Sequence, residues 1–337
     1  MIRTAPPALA DARALVDGSL RSALARLCPA SRLVAGYHFG WHDAEENPLP
    51  GGGGKALRPA LALLSAQAAG GPADAGMPGA TAVELVHDFS ILHDDVIDGD
   101  EYRRHQVTAW RQFGSPRAIL AGDALLNLAG QVLLEARTPF RAEALIALTG
   151  AVSELVRGQQ ADLSFEHRFD VSMEECLDMC QAKTGALLSC AAAIGVILVE
   201  GNGARSAGLA SFGLHLGLAF QAVDDLLGTW GEPASTGKPV GNDLRQRKKT
   251  LPVVFALGRG GAGSEQLRTI LSRPSLGDVE VAAARLLLED SGAQDWVGDL
   301  ADDELAQAVE ALEALPIPDG VRSDLEEIAR FVATRDG

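Results

Sequence analysis

Apolar residues recur along this chain at three- and four-residue intervals almost from end to end, and the alternation that marks a half-buried strand is nearly absent. That spacing predicts helices near residues 8–27, 57–69, 80–99, 116–136, 139–160, 172–200, 204–228, 249–258, 264–272, 278–291, 300–315 and 321–334. Glycine and proline punctuate them: GGGG at 51–54, GGPADAGMPG at 70–79, EGNG at 200–203 and GRGGAG at 258–263, with a long loop from Thr229 to about Lys248. None of these breaks is long and polar enough to be a flexible linker. The expected architecture is all-α, one domain over residues 1–337, with 261–337 forming a weakly separate helical part.

The 337 residues are enough to bury a sizeable core, and their formal charge of −16 argues against nucleic acid as a partner. Most of that charge is local. Residues 261–337 hold 17 acidic and 6 basic side chains, so the preceding part, where the motifs lie, is only mildly acidic. The four cysteines, Cys28, Cys176, Cys180 and Cys190, form no zinc-type spacing and read as thiols of a reducing compartment. The first residues carry no signal-peptide core, and the longest nearly apolar run, Gly185 to Val199, is short of the roughly 20 residues a membrane span needs. A cytoplasmic protein without a transmembrane segment is expected.

Charge is distributed unevenly among the apolar helices. From Pro59 through Tyr102 there is no Lys or Arg, yet Asp88, Asp94, Asp95, Asp98, Asp100 and Glu101 crowd its end. On a helix Asp94 and Asp98 stand at i and i+4 and share a face, close enough to hold a hard cation between them. A solvated acidic helix end would explain one such cluster equally well. A second one follows Phe220, Gln221, Ala222 and Val223, where Asp224 and Asp225 again end an apolar helix. Oxygen ligands at this density suit magnesium, which binds through one or two carboxylates plus substrate phosphates.

Basic residues cluster beside the aspartates. Lys55 and Arg58 follow a glycine-rich loop at a helix start, Arg103 and Arg104 follow the first cluster, and Lys238, Arg245, Arg247, Lys248 and Lys249 follow the second. The ordered set GKxxRP, DDxxD followed by RR, KT, FQxxDD and GKPxGxDL…KKTLP resembles the trans-isoprenyl diphosphate synthases, the polyprenyl synthetase family, over most of residues 50–255. The resemblance implies the isoprenoid synthase fold, a bundle of antiparallel helices around a central cavity. It implies three Mg²⁺ ions, two held by Asp94 and Asp98 and one by Asp224, bridging the diphosphate of an allylic substrate. Arg103, Lys183, Lys238 and Lys248 would add charge there. Lys55, Arg58, His87 and Arg104 would hold isopentenyl diphosphate, and Thr184 and Gln221 would line the reacting centre. A homodimer is implied as well.

By the same resemblance the reaction is ionisation of the allylic diphosphate, attack by the alkene of isopentenyl diphosphate, and loss of a proton. Phe89 and Ser90, five and four residues before Asp94, match the chain-length positions of short-chain members that make geranylgeranyl diphosphate, with farnesyl diphosphate the rival product. A terpene cyclase would need no isopentenyl diphosphate site, and a non-catalytic partner subunit would be expected to lose first-cluster aspartates. Retention of both features speaks for chain elongation. Two departures stand out. Gly228 occupies the place of a third aspartate in the second cluster, leaving Asp225 and Asp243 as outer groups around Asp224, and the usual RRGxPT reads RRHQVT, with His105 and Val107 altered.

Overall fold

The computed structural model describes residues 5–49, 54, 56–104, 106–231 and 241–333. In chain order the first helices are α1 (Pro7–Leu24), α2 (Pro29–His38), α3 (Leu57–Ala68) and α4 (Met77–Asp98), the last preceded by a 3₁₀ turn at Ala73–Gly76. A two-residue hairpin, β1 (Tyr102–Arg103) and β2 (Gln106–Val107), separates α4 from α5 (Ala109–Phe113), α6 (Ser115–Leu134) and α7 (Arg141–Phe165). Next come α8 (Met173–Cys180), a π-helical turn at Gln181–Gly185, α9 (Ala186–Glu200) and α10 (Ala204–Trp230). The remainder is α11 (Asn242–Arg245), α12 (Leu251–Gly258), α13 (Gly261–Leu271), α14 (Asp278–Asp290), α15 (Ala293–Glu313) and α16 (Asp319–Ala333). The all-helical expectation holds.

Boundaries differ where local chemistry overrides periodicity. Proline at N1 starts α1 and α2, and proline in the first turn starts α4, by supplying a pre-set φ and no orphaned donor; α2, only ten residues long, is absent from the periodic reading. Helix α7 runs five residues beyond its expected end, and α15 starts seven earlier. The predicted 172–200 helix is one continuous rod, opened by a Ser172–Glu175 capping box and carrying the π turn in its middle.

Helix α9 is the axis of the bundle. Leu187, Leu188, Ile194, Val196, Ile197 and Leu198 are all buried, each contributing roughly 1.5–3 kcal/mol by leaving water. Helices α3, α4, α7 and α10 surround α9, α6 backs α4, and α15 lies along α10. The acidic C-terminal part packs into this core: Ala308, Leu312, Leu325, Ile328 and Val332 belong to the same buried cluster as α3 and α9. Among the described residues three helices, Ser115–Leu134, Met173–Glu200 and Ala204–Trp230, are long and apolar enough to cross a membrane. Met173–Glu200 is longer than the Gly185–Val199 run suggests because α8, the π turn and α9 are continuous. In Met173–Glu200, 72% of the apolar stretch is buried inside the bundle.

Candidate active site

The C-terminal ends of α4 and α10 converge on one cavity of about 200 Å³. Asp94 and Asp98 of α4 line it, as do Asp224, Asp225 and Gln221 of α10. Lys183 from the π turn, Asp162 from α7, and Asp243, Lys248 and Thr250 from the segment after α10 complete the wall. A larger cavity of about 540 Å³ between α7, α9 and α10 is lined by small and apolar residues with a few polar ones and holds none of these aspartates. The chemistry is in the smaller one.

Adjacent aspartates on a helix point about 100° apart, and the structure uses the difference twice. Asp95 is 1% exposed and does not line the cavity; its Oδ1 accepts a 2.6 Å bond from Arg103 Nε. The hairpin β1–β2 folds Arg103 back to reach both Asp95 and, at 3.5 Å, Asp100. Arg103 thus borders the cavity while anchored from behind. Asp225 is likewise buried, its Oδ1 accepting from Gln221 Nε2 and its Oδ2 from the Leu251 N–H, each at 2.8 Å. Burial pushes Asp225 up to about 8 despite the Leu251 donor, with Asp243 and then Asp224 adding repulsion. Asp225 thus borders the cavity with both oxygens committed, whereas Asp95 is withdrawn from it; Asp94 and Asp224 line it beside them.

Cations meet the facing carboxylates. Lys248 Nζ donates to Asp98 at 2.7 Å, and Lys183 Nζ donates to Asp162 at 2.6 Å. Burial opposes the charge on Lys183, but Asp162 and Asp94 outweigh it and raise its pKa. Asp94 is raised to about 6, by burial first, with Lys183 opposing and Asp98 reinforcing. The next residue of the π turn, Thr184, donates to Gln221 Oε1 at 2.7 Å, so a chain of hydrogen bonds runs from Thr184 through Gln221 to Asp225. The π turn is set by Gly158 of α7: a Cβ there would collide with the Lys183 backbone, lying 2.7 Å from its Cα.

A second group of charges lies further back along α4. Burial and then the Arg58 and Arg104 charges hold the His87 pKa well below its ordinary range. Burial and Asp88 raise Glu84 to about 7, opposed by Arg58, Arg104 and Arg13. Arg13 Nη1 donates to the Gly54 carbonyl at 3.0 Å, and Arg104, at φ +51°, points its guanidinium toward Gly54. Arg58, His87 and Arg104 therefore share one electrostatic neighbourhood, while Lys55, Lys238 and His105 lie outside the described residues. Phe89 is buried with its ring edge-on to His93 at 4.8 Å, and Ser90 donates to the His87 carbonyl at 2.8 Å.

Asp162, Glu84 and Arg13 are absent from the sequence-based set. Asp162 fell beyond the expected end of its helix at residue 160, and the partners of Glu84 are dispersed at positions 13, 58 and 104. Among the described residues, no three carboxylate, imidazole or thiol groups gather closely enough to cage a metal. The donors that line the cavity are hard carboxylate oxygens on two facing walls, which fits magnesium binding shared between protein and a phosphate-bearing substrate.

The sequence model described as polyprenyl synthetase matches residues 47–286. The (2E,6E)-farnesyl diphosphate synthase of Mycobacterium tuberculosis is 42% identical over 99% of this chain and 94% of its own length. The geranylgeranyl diphosphate synthase of the same species is 39% identical over 97% of this chain and 93% of its own. Among solved structures, a polyprenyl synthetase from Streptomyces coelicolor superposes with a TM-score of 0.93 at 50% identity, covering 97% of this chain and 99% of that one. A Corynebacterium glutamicum geranylgeranyl pyrophosphate synthase complexed with isoprenyl diphosphate and magnesium superposes at 0.85 with 25% identity, covering 99% and 100%.

Proposed function

This chain belongs to the polyprenyl synthetase family, short-chain type, and is a trans-prenyltransferase; on that premise we propose that it condenses isopentenyl diphosphate with an allylic diphosphate to make farnesyl diphosphate. The observation that carries the reading is the meeting of Asp94, Asp98 and Asp224 with Lys183, Lys248 and Arg103 around one cavity. Carboxylates alone would repel a diphosphate, and lysines alone would not gather divalent cations. Together they receive a cation-bound diphosphate.

Magnesium, held by Asp94, Asp98 and Asp224 with three ions per site, would neutralise charge on the departing diphosphate. Lys183, Lys248 and Arg103 stabilise that same developing charge from positions fixed before the reaction, so little reorganisation is needed as the charge develops. Gln221, which lines the cavity and accepts from Thr184, would turn its amide dipole toward the carbon fragment as it becomes cationic. Arg58, His87 and Arg104, with Lys55 beside them in sequence, hold isopentenyl diphosphate so that its alkene reaches that fragment. Water, which would trap the cation, has to be displaced as the two substrates fill the cavity. The released diphosphate accepts the final proton, so no side-chain base is required.

For product length, the farnesyl reading replaces the geranylgeranyl expectation from Phe89 and Ser90. It is supported by the higher identity to the mycobacterial farnesyl synthase and by the Phe89–His93 pair, which closes the α4 face toward α6. Geranylgeranyl diphosphate remains the second reading because Ser90 is small. Incubating the protein with Mg²⁺, isopentenyl diphosphate and, separately, five-, ten- and fifteen-carbon allylic primers tests both. Farnesyl diphosphate accumulates from the first two primers on our reading; elongation of the fifteen-carbon primer favours the second, and no product from any primer rejects the function. Exposed Ile119, Leu120 and Leu134 on α6 and Ile146 and Val156 on α7 support a homodimer joined through these helices, which sedimentation equilibrium checks.

A further inference from the structure

The second cluster lacks a third aspartate because residue 228 is glycine, yet the space is filled. A Cβ built on Gly228 would lie 2.7 Å from Asp243 Cγ and nearer still to its Oδ2. The Asp243 carboxylate occupies the side-chain position of residue 228, and both Asp243 and Asp224 line the cavity. Its placement is fixed from behind. Gly241 adopts φ +67°, and a Cβ there would strike Val281, so the chain enters α11 by a path a larger residue would block. The next residue, Leu244, is fully buried among Val253, Leu257 and Leu267, and Arg245 pairs with Asp278. From the same segment Gln246 Nε2 reaches Asp100 and Lys248 Nζ reaches Asp98, each at 2.7 Å, so it spans both clusters.

We infer that Asp243 is the third carboxylate of the second cluster, and that Gly228 is the vacancy that admits it, so that Asp224 and Asp243 face the divalent cation at this end of the site. The inference rests on the reading of the cavity as a magnesium–diphosphate site. It makes Gly228 the space into which the loop carboxylate settles, so the cluster presents two cavity-lining carboxylates although residue 228 supplies none.

Calorimetric titration of the full chain with Mn²⁺ in the presence of inorganic pyrophosphate tests it without turnover. Asp243→Asn keeps the shape and removes the charge; Gly228→Ala keeps the charge and displaces it, in a helix that alanine favours. Each is expected to weaken ion binding about tenfold or more. The double variant should be no weaker than the worse single, because both remove one interaction. Gly228→Asp placed in the Asp243→Asn background should recover most of the loss, and thermal melts verify that each variant is folded. Wild-type binding by Asp243→Asn, with Asp94→Asn impaired, overturns the assignment of Asp243 alone. If Asp94→Asn also binds as wild type, the diphosphate-site reading fails with it.

Discussion

The aspartate clusters at the ends of α4 and α10 share a plan and differ in depth. In each, the second of two adjacent aspartates is buried and committed, Asp95 to Arg103 and Asp225 to Gln221 and Leu251. The first faces the cavity. In α4 that residue is half-buried, and a second carboxylate on the same helix face, Asp98, stands beside it. In α10 Asp224 is exposed, Gly228 offers nothing, and its companion comes from α11. A DD pair is therefore two devices: one residue meets the ligand, and its neighbour holds the wall in place.

The sharpest way to break this division is to remove each residue separately. Asp94→Ala and Asp224→Ala should each lower turnover on the order of 10²–10³-fold, the loss seen when one preorganised charge-stabilising group is deleted, with melting temperature unchanged or raised. Loss of a carboxylate relieves repulsion in the metal-free protein, since Asp98 already disfavours the Asp94 charge. Asp225→Ala should instead be a stability variant. It orphans the Leu251 N–H and the Gln221 amide, at roughly 1–3 kcal/mol for each buried donor, which urea denaturation would measure. A fully stable Asp225→Ala protein would erase the distinction.

Gly158→Ala probes the cation side of the comparison. A methyl here meets backbone, which cannot rotate away, so the π turn must shift and carry Lys183 and Thr184 with it. Overpacking of this kind costs about 1–3 kcal/mol. A fall in kcat larger than the change in KM would mark displacement of Lys183, whereas unchanged kinetics would mean that the turn relaxes without moving the ammonium.

What could be read in the sequence follows from the range of the interactions involved. Asp94 and Asp98, i and i+4 on one helix, declare their common face locally, and both clusters stand out against the apolar helices that carry them. The helices themselves follow from period alone. Long-range relations are invisible there: that Asp95 turns away from the cavity depends on where the hairpin returns Arg103, and Glu84 acquires three arginines only after folding. The π turn leaves no compositional trace, because Lys183 and Thr184 fit an ordinary helix equally well. Gly228 and Asp243 both stand out in the sequence near the second cluster, but that the carboxylate of one fills the side-chain position of the other, fifteen residues away, is visible only in the fold.

The smallest effect separates the two clusters by pH. Burial raises Asp225 to about 8 and Glu84 to about 7, against ordinary values of 3.8 and 4.5. Between those limits the folded protein holds protons that the unfolded chain has released, so these groups make the metal-free fold less stable as pH rises, and the effect is complete above about pH 8. Other groups act at lower pH with the opposite sign. His87 is held neutral in the fold, and the unfolded chain takes up its proton below about 6.5, while Glu175, lowered to about 2 by Arg168, gives stability that is lost in acid. The clean window is therefore pH 6.5 to 8. One proton across it corresponds to roughly 2 kcal/mol, so the melting temperature of metal-free protein should fall by a few degrees. Asp225→Asn should flatten that fall, and Asp94→Asn, whose carboxyl titrates near 6, should leave most of it in place. A slope equal in both variants would locate the proton elsewhere and remove the deep burial that sets Asp225 apart from Asp224.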